Sequence, residues 1–224
     1  MTYEGMTLIG IVGYTPVLDC YPLGPRLMSK LEQSVADRTD IAIENMTWGP
    51  IHIVQRFQDP DVTTPKRLIL IGSAATSHHP GKVQVYRWAG GPLPEQVIQE
   101  RVYEAVTGIV DIENTLVIGD HFGIWPKDCF SIEVDMQADA FGRMVIADSE
   151  GWADDPALHH HLGFSPALMI DGIVDRAVAL VKNDGADIAL RPKSATDLAP
   201  ISAFTHNWLI DNPDGEKLRK EVPS

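Results

Sequence analysis

The sequence is poor in cysteine, poor in positive charge and free of long apolar runs, and each shortage removes a class of protein. Two cysteines, Cys20 and Cys129, in 224 residues are too few for a disulfide framework and suit a reducing compartment. Lys and Arg number 18 against 31 Asp and Glu, giving a formal net charge of −13. An excess of that sign repels phosphate backbones and anionic lipid, so neither nucleic acid nor a membrane surface is expected as the main partner. No apolar run reaches the ~20 residues of a bilayer-spanning helix, and the first residues show neither a basic n-region nor a cleavable apolar h-region. The expectation is a cytoplasmic protein without membrane insertion. Nucleotide and hydrolase signatures are missing too: there is no Walker loop and no Gly-x-Ser-x-Gly elbow, and Gly10-Ile11-Val12-Gly13 is too short for a dinucleotide fingerprint.

What is present is enough apolar material for a core. A hydrophobic content of 44% suits one globular domain that needs no disulfide or metal staple. The opening stretch, Met6 to Glu32, reads as a buried strand from Thr7 to Val12, a loop marked by glycine and proline, and an amphipathic helix from about Pro22. An unbroken apolar run suits a strand covered on both faces, so an α/β fold with a mostly parallel sheet is expected. Ligands of such sheets bind in the crevice at the carboxyl ends of the strands, which directs attention to the loop Gly13 to Gly24.

Further along, Asp40–Glu44 reads as a strand, Gly49–Gln58 as a short helix with Ile51, Val54 and Phe57 on one face, and Arg67–Ile71 as a strand ending at Gly72-Ser73. Lys82–Trp88 alternates as an edge or half-buried strand does. Helices are expected from Pro94 to Val106 and over Asp111–Ile118, and a strand over Cys129–Met136, with Ala140–Asp148 a possible hairpin partner. Ser165-Pro166 is a helix start, with Leu168, Val174, Ala177, Val178 and Val181 as the apolar face and Asn183-Asp184-Gly185 as the stop. The expected domain is 1–185. Residues 186–224 read as a C-terminal extension or arm anchored by Phe204, Trp208 and Leu209.

Four stretches in order resemble the nickel-iron hydrogenase maturation endopeptidases: Gly10 to Leu31, Glu44-Asn45-Met46-Thr47-Trp48-Gly49, Leu68 to Arg87, and His161-Leu162-Gly163-Phe164-Ser165-Pro166 with its helix. The resemblance spans roughly residues 6 to 182. It implies a three-layer α/β/α domain of the phosphorylase/hydrolase-like kind with a twisted, mostly parallel central sheet. It also implies an activity, removal of a C-terminal extension from a hydrogenase large subunit, in which two carboxylates and a histidine recognise the nickel of the substrate.

The departures from that pattern fall on those ligands. Where the family's first loop carries Asp-Glu, this chain has Asp19-Cys20; its strand-three aspartate falls on Gly72 or Ser73, and its histidine falls near Ala105. Glu44 stands where the family's glycine-rich box begins with aspartate, while Thr47 and Gly49 are kept. The residue chemistry agrees. A divalent site needs several oxygen, nitrogen or thiolate donors at one point, and the strand-end loops offer only Asp19, Cys20, Glu44 and Ser73.

Asp19 and Glu44 are the candidate catalytic residues, and Cys20, Thr47, Gly49, Ser73, His78 and His79 the candidate substrate-binding residues. No resident metal or cofactor is expected; a metal, if one bound, would take Asp19, Cys20 and His78, and nickel would enter only as part of the substrate. The bland alternatives are a Cys20 packing as a small hydrophobe, an Asp19 bonding its own turn and a solvated or helix-capping Glu44. His159-His160-His161 cannot converge on one ion because consecutive side chains diverge, whereas His121 beside Asp120 is a further candidate. The expected function is therefore a maturation-protease-like protein that binds or assists assembly of a nickel-iron hydrogenase large subunit or related metalloprotein, without the usual cleavage. The alternatives are an active processing endopeptidase with a rearranged site and a small-molecule hydrolase on the same scaffold.

Overall fold

The computed structural model describes residues 2–12, 23–74, 81–106, 111–135, 165–183 and 185–198. Among these, apolar runs separated by turn residues become six strands and five helices. In chain order they are β1 (Thr7–Ile11), α1 (Leu23–Ser34), β2 (Ile41–Asn45), α2 (Pro50–Phe57), β3 (Arg67–Ala74), β4 (Val83–Gly90), α3 (Glu95–Val106), α4 (Ile112–His121), β5 (Cys129–Asp135), α5 (Pro166–Asn183) and β6 (Arg191–Ser194). The strands form one sheet in the order β2-β1-β3-β5-β4-β6. β2, β1, β3 and β5 are mutually parallel, β4 runs antiparallel to β5, and β6 is parallel to β4. The result is a mixed, mostly parallel α/β sheet with helices on both faces.

The unbroken apolar runs of β1 and β3 follow from that double cover. Successive strand residues point to opposite faces, so Leu8, Leu68 and Leu70 belong to one core and Ile9, Ile69 and Ile71 to the other. The second set packs under α1 and α5 through Leu27, Leu31, Ile170, Ile173, Ala177 and Leu180. The first packs under α2, α3 and α4 through Ile53, Phe57, Ala105, Leu116 and Ile118. Each fully buried Leu or Ile contributes about 1.5–3 kcal/mol relative to exposure.

Two expectations need correction. Leu168 was assigned to the apolar face of the helix after Ser165, but it is 73% exposed, and the buried residues of α5 are Met169, Ile170, Ile173, Val174, Ala177 and Leu180. The stripe at 169, 173, 177 and 180 follows the 3.6-residue period, and Leu168 lies one residue, about 100°, off it. The chain past Gly185 also does more than leave the domain. Gly185 stops α5 with φ 73°, its amide donating to the Ala179 carbonyl at 3.2 Å, as helix-terminating glycines do. Arg191–Ser194 then pairs with β4 as the outer strand β6. The sheet thus continues beyond the boundary drawn at 185, with β6 as its edge strand. The proposed hairpin at 140–148 and the anchors at 204–209 lie outside the described residues.

Candidate functional site

The carboxyl ends of the four parallel strands define the edge that the sequence singled out. There β2 leads into the Asn45-Met46-Thr47-Trp48-Gly49 turn, whose first step is closed by the Thr47 amide donating to Asn45 Oδ1 at 3.1 Å. Met46 is buried with no exposed surface, and it fits because Gly10 on β1 has no side chain: a Cβ there would overlap the Met46 sulfur. Gly49 then serves as the N-cap of α2, with Pro50 in the first helical position. It lies against the end of α3, where a Cβ would come within 3.7 Å of the Ala105 carbonyl and 3.6 Å of His52 Nδ1.

β3 reaches the same corner. Gly72 is buried between β1 and the start of α4, and a Cβ on it would lie 2.9 Å from the Val12 carbonyl and 3.1 Å from Ile112 Cβ. Ser73, the next residue, is partly buried. The corner therefore gathers the β2–α2 turn, the end of β3, the end of α3 and the start of α4. Of the residues singled out from the sequence, it brings together Thr47, Gly49 and Ser73. Asp19, Cys20, His78 and His79 lie outside the described residues.

Glu44 is held just inside this edge and is committed. Its carboxylate forms an ion pair with Arg56 of α2, with Nη1 2.9 Å from Oε2 and Nη2 donating to Oε1 at 2.9 Å, and it accepts a hydrogen bond from the Tyr3 hydroxyl. Arg56 Nη2 also donates to the Tyr3 oxygen at 2.6 Å. Burial, followed by the Glu44 carboxylate, pushes the Tyr3 hydroxyl well above its ordinary pKa. This arrangement ties β2, α2 and the chain start together, and the Glu44 side chain is 12% exposed. The same guanidinium lies over the Trp48 ring, 4.8 Å from its centroid, while Trp48 itself is 39% exposed.

Sequence reasoning passed over the acid next to Ile112, the residue that packs on Gly72. Asp111 caps α4, its Oδ1 accepting from the Asn114 amide at 2.6 Å. Burial raises its pKa to about 6 against the pull of that cap, with Glu113 raising it further and Arg101 lowering it. Behind the cap, Arg101 Nη1 donates to Asn114 Oδ1 at 2.5 Å, and Asn114 Nδ2 donates to Glu104 Oε2 at 3.2 Å. All three residues are buried.

A second network lies on the same sheet face. Lys193 of β6 donates to Glu133 of β5 at 2.8 and 2.9 Å and to Glu113 of α4 at 2.9 Å, and Ser131 Oγ donates to Glu133 at 2.7 Å. Burial works against the Lys193 charge, but Glu133 and Glu113 outweigh it and the pKa is raised. The signals were present in part: Glu133 and Ser131 alternate with Phe130, Ile132 and Val134 along β5, which marks a charge on a face that a covered strand buries.

Among the described residues the corner holds Asp111, whose pKa burial raises to about 6, a hydroxyl at Ser73, and an exposed aromatic surface. Among the described residues no three His, Cys, Asp or Glu side chains cluster as metal ligands. Tyr103 and Val106, three residues apart on α3, are 71% and 68% exposed, and the Gly49–Ala105 contact places that helix end beside Trp48. No described helix is long and apolar enough to cross a membrane.

No protein-family description and no curated protein matches the chain. Among solved structures it is similar to the hydrogenase maturating endopeptidase HybD from E. coli, at 16% identity and a TM-score of 0.45, covering 81% of this chain and 94% of that one. It is similar to an endopeptidase from Escherichia coli solved in solution, at 12% identity and a TM-score of 0.43, covering 80% and 94%. A hydrogenase 3 maturation protease is similar at 13% identity and a TM-score of 0.36, covering 67% and 92%.

Proposed function

We propose that this chain binds a nickel-iron hydrogenase large subunit or a related metalloprotein and assists its assembly without cutting it, as a protease-like binding factor. The observation that carries the reading is the state of Glu44. It is the one described carboxylate among the residues that the motif pattern assigns to the site, and Arg56 and Tyr3 already occupy it. A carboxylate that must recognise a metal in a partner protein has to be free to accept it, since a cationic guanidinium at bonding distance competes for the same oxygens. The aspartate position on β3 gives the same reading. Gly72 has no room for a side chain against Val12 and Ile112, and Ser73 supplies only a hydroxyl.

What the corner offers instead is contact surface. An exposed Trp48, a helix end carrying Tyr103 and Val106, and turns held by backbone and side-chain bonds are the composition of a protein-binding patch, where aromatic residues supply most of the energy. The metal of the partner is substrate in this reading, and no resident cofactor takes part.

The test mixes the purified chain with a nickel-loaded large-subunit precursor and follows complex formation by size exclusion and the precursor by intact mass. A complex of unchanged mass is the expected result, weakened by Trp48→Ala. Loss of a C-terminal peptide from the precursor would mean that cleavage survives, and absence of any complex would remove the reading altogether.

A further inference from the structure

A cavity of about 150 Å³ lies at the other end of the sheet from the corner described above. β4 runs antiparallel to β5, so its last residue, Gly90, lies at the amino ends of the parallel strands. Gly91, Pro92 and Leu93 of the β4–α3 loop, Ile98 of α3, Val117, Asp120 and His121 of α4, and Ala195 after β6 line the cavity. Gly90 and Gly91 beside it take φ of 64° and 130°, conformations that side chains disfavour, and a Cβ on Gly90 would come within 2.9 Å of Asp120 Oδ2. Leu93, Ile98, Val117 and Ala195 supply the apolar part of the wall.

Asp120 is the charged group of this cavity. Its carboxylate lies near the indole of Trp88, whose buried Nε1–H makes no hydrogen bond, and no ion pair holds it among the described residues. Partial burial raises its pKa above the ordinary carboxylate value, with Trp88 and then His121 opposing. His121 stands at the rim with its ring edge-on to Phe122, centroids 5.1 Å apart.

We propose that this cavity binds a small primary ammonium compound, its charge held by Asp120 at the mouth and its short aliphatic body lying on Leu93, Ile98 and Val117. Size, charge and ligand chemistry select that class. A water's share of liquid volume is about 30 Å³, so the space takes roughly five heavy atoms, the size of a butylammonium ion. A lone carboxylate beside apolar walls favours an organic cation over a hydrated divalent one, because Ca²⁺ and Mg²⁺ require about six oxygen ligands and Zn²⁺ three or four donors. Asp120 and His121 supply two. The surplus of acidic residues over the whole chain, a net charge of −13, raises the local concentration of cations and disfavours anionic ligands. This site is independent of the protein-binding reading, since it lies at the opposite sheet edge and uses none of the same residues.

The experiment is a titration of the isotopically labelled full-length chain with n-butylammonium chloride, read in amide and indole N–H spectra. n-Butanol, the uncharged ligand of the same shape, and sodium chloride at equal ionic strength are titrated in parallel. Saturable shifts at the Trp88 indole and at the Gly90, Gly91 and His121 amides are expected with the ammonium ion, at least tenfold weaker with butanol, and lost in Asp120→Asn. Absence of saturation, equal affinity for butanol, or the same shifts with sodium chloride would overturn the proposal, as would unchanged binding to Asp120→Asn. Should that variant not fold, the comparison of ammonium with butanol on the unmodified chain decides alone.

Discussion

Replacing Asp111 by Asn isolates the acid that, among the described residues of the strand-end corner, burial raises to a pKa of about 6. In the folded chain its pKa is about 6 against an ordinary 3.8, so between those values the native state holds a proton that the unfolded state has released. Stability therefore falls as pH rises through this window: the favourable state is complete below the unfolded value and is lost by the time pH passes the folded one. A displacement of about 2 units corresponds to about 3 kcal/mol at neutral pH, at about 1.4 kcal/mol per unit. Asn caps helices as well as Asp does, so the bond from the Asn114 amide survives while the charge does not. Asp111→Asn is expected to be more stable than the unmodified chain by about 1–3 kcal/mol at about pH 7.5, and equal to it near about pH 4, by urea unfolding with linear extrapolation. Taking the difference between the two proteins at each pH cancels the other carboxylates, most of which lose stability on acidification. A pH-independent difference, or an Asn variant less stable at neutral pH, would refute the assignment of a raised pKa to this cap.

Lys193→Met leaves the Glu133 and Glu113 carboxylates without their cation and should cost about 3–5 kcal/mol; adding Glu133→Leu should restore most of the loss, and a double variant no better than the single one would sink the pairing. Gly72→Ala places a methyl against the Val12 carbonyl and Ile112, and an overpacked core of this kind loses about 1–3 kcal/mol by thermal or urea unfolding. Leu168→Gln should change stability by less than about 0.5 kcal/mol, whereas Ile173→Ala, five residues on and fully packed, should lose about 2–5 kcal/mol.

The strands were legible because double burial leaves its mark on sequence. Thr7–Ile11 and Arg67–Ile71 carry apolar residues on consecutive positions, which only a strand covered on both faces requires. Helix α4 was legible despite its β-branched residues, whereas the capping role of Asp111 emerged only from the structure. Leu168 was misplaced because a helix start sets where the turns begin but not which face turns inward; the stripe through Met169 and Ile173 shifts that face by one residue. β6 could not be read at all. Its four residues, Arg-Pro-Lys-Ser, have no apolar alternation, and what holds them is a pairing partner far away in sequence and the reach of Lys193 to Glu133. The Glu44 tether was equally silent, since Tyr3 and Arg56 meet it only once α2 has folded back over β2. Proximity in space carried these features, and local pattern cannot encode it.

The two sheet faces divide their labour. Under α1 and α5 the fully buried residues are apolar, and the charged contacts lie at the margin, where Arg67 donates to the Leu180 carbonyl at 2.6 Å and Lys30 pairs with Asp171. The buried polar groups Arg101, Glu104, Asn114, Thr115, Ser131, Glu133 and Lys193 all lie on the face of α2, α3 and α4. Replacing such networks by apolar residues of similar volume is often neutral or stabilising, so stability alone does not account for them. What they add is directional: Arg56 fixes α2 to β2, the Arg101–Asn114–Glu104 chain fixes α3 to α4, and Lys193 fixes β6 and α4 to β5. Apolar contacts permit small sliding of helices over a sheet, while hydrogen-bonded charges permit one arrangement each. We attribute to these three networks the fixed position of the corner where the turn carrying Trp48 and Gly49 approaches the end of α3 at Ala105. A surface that recognises a partner by shape needs that position held.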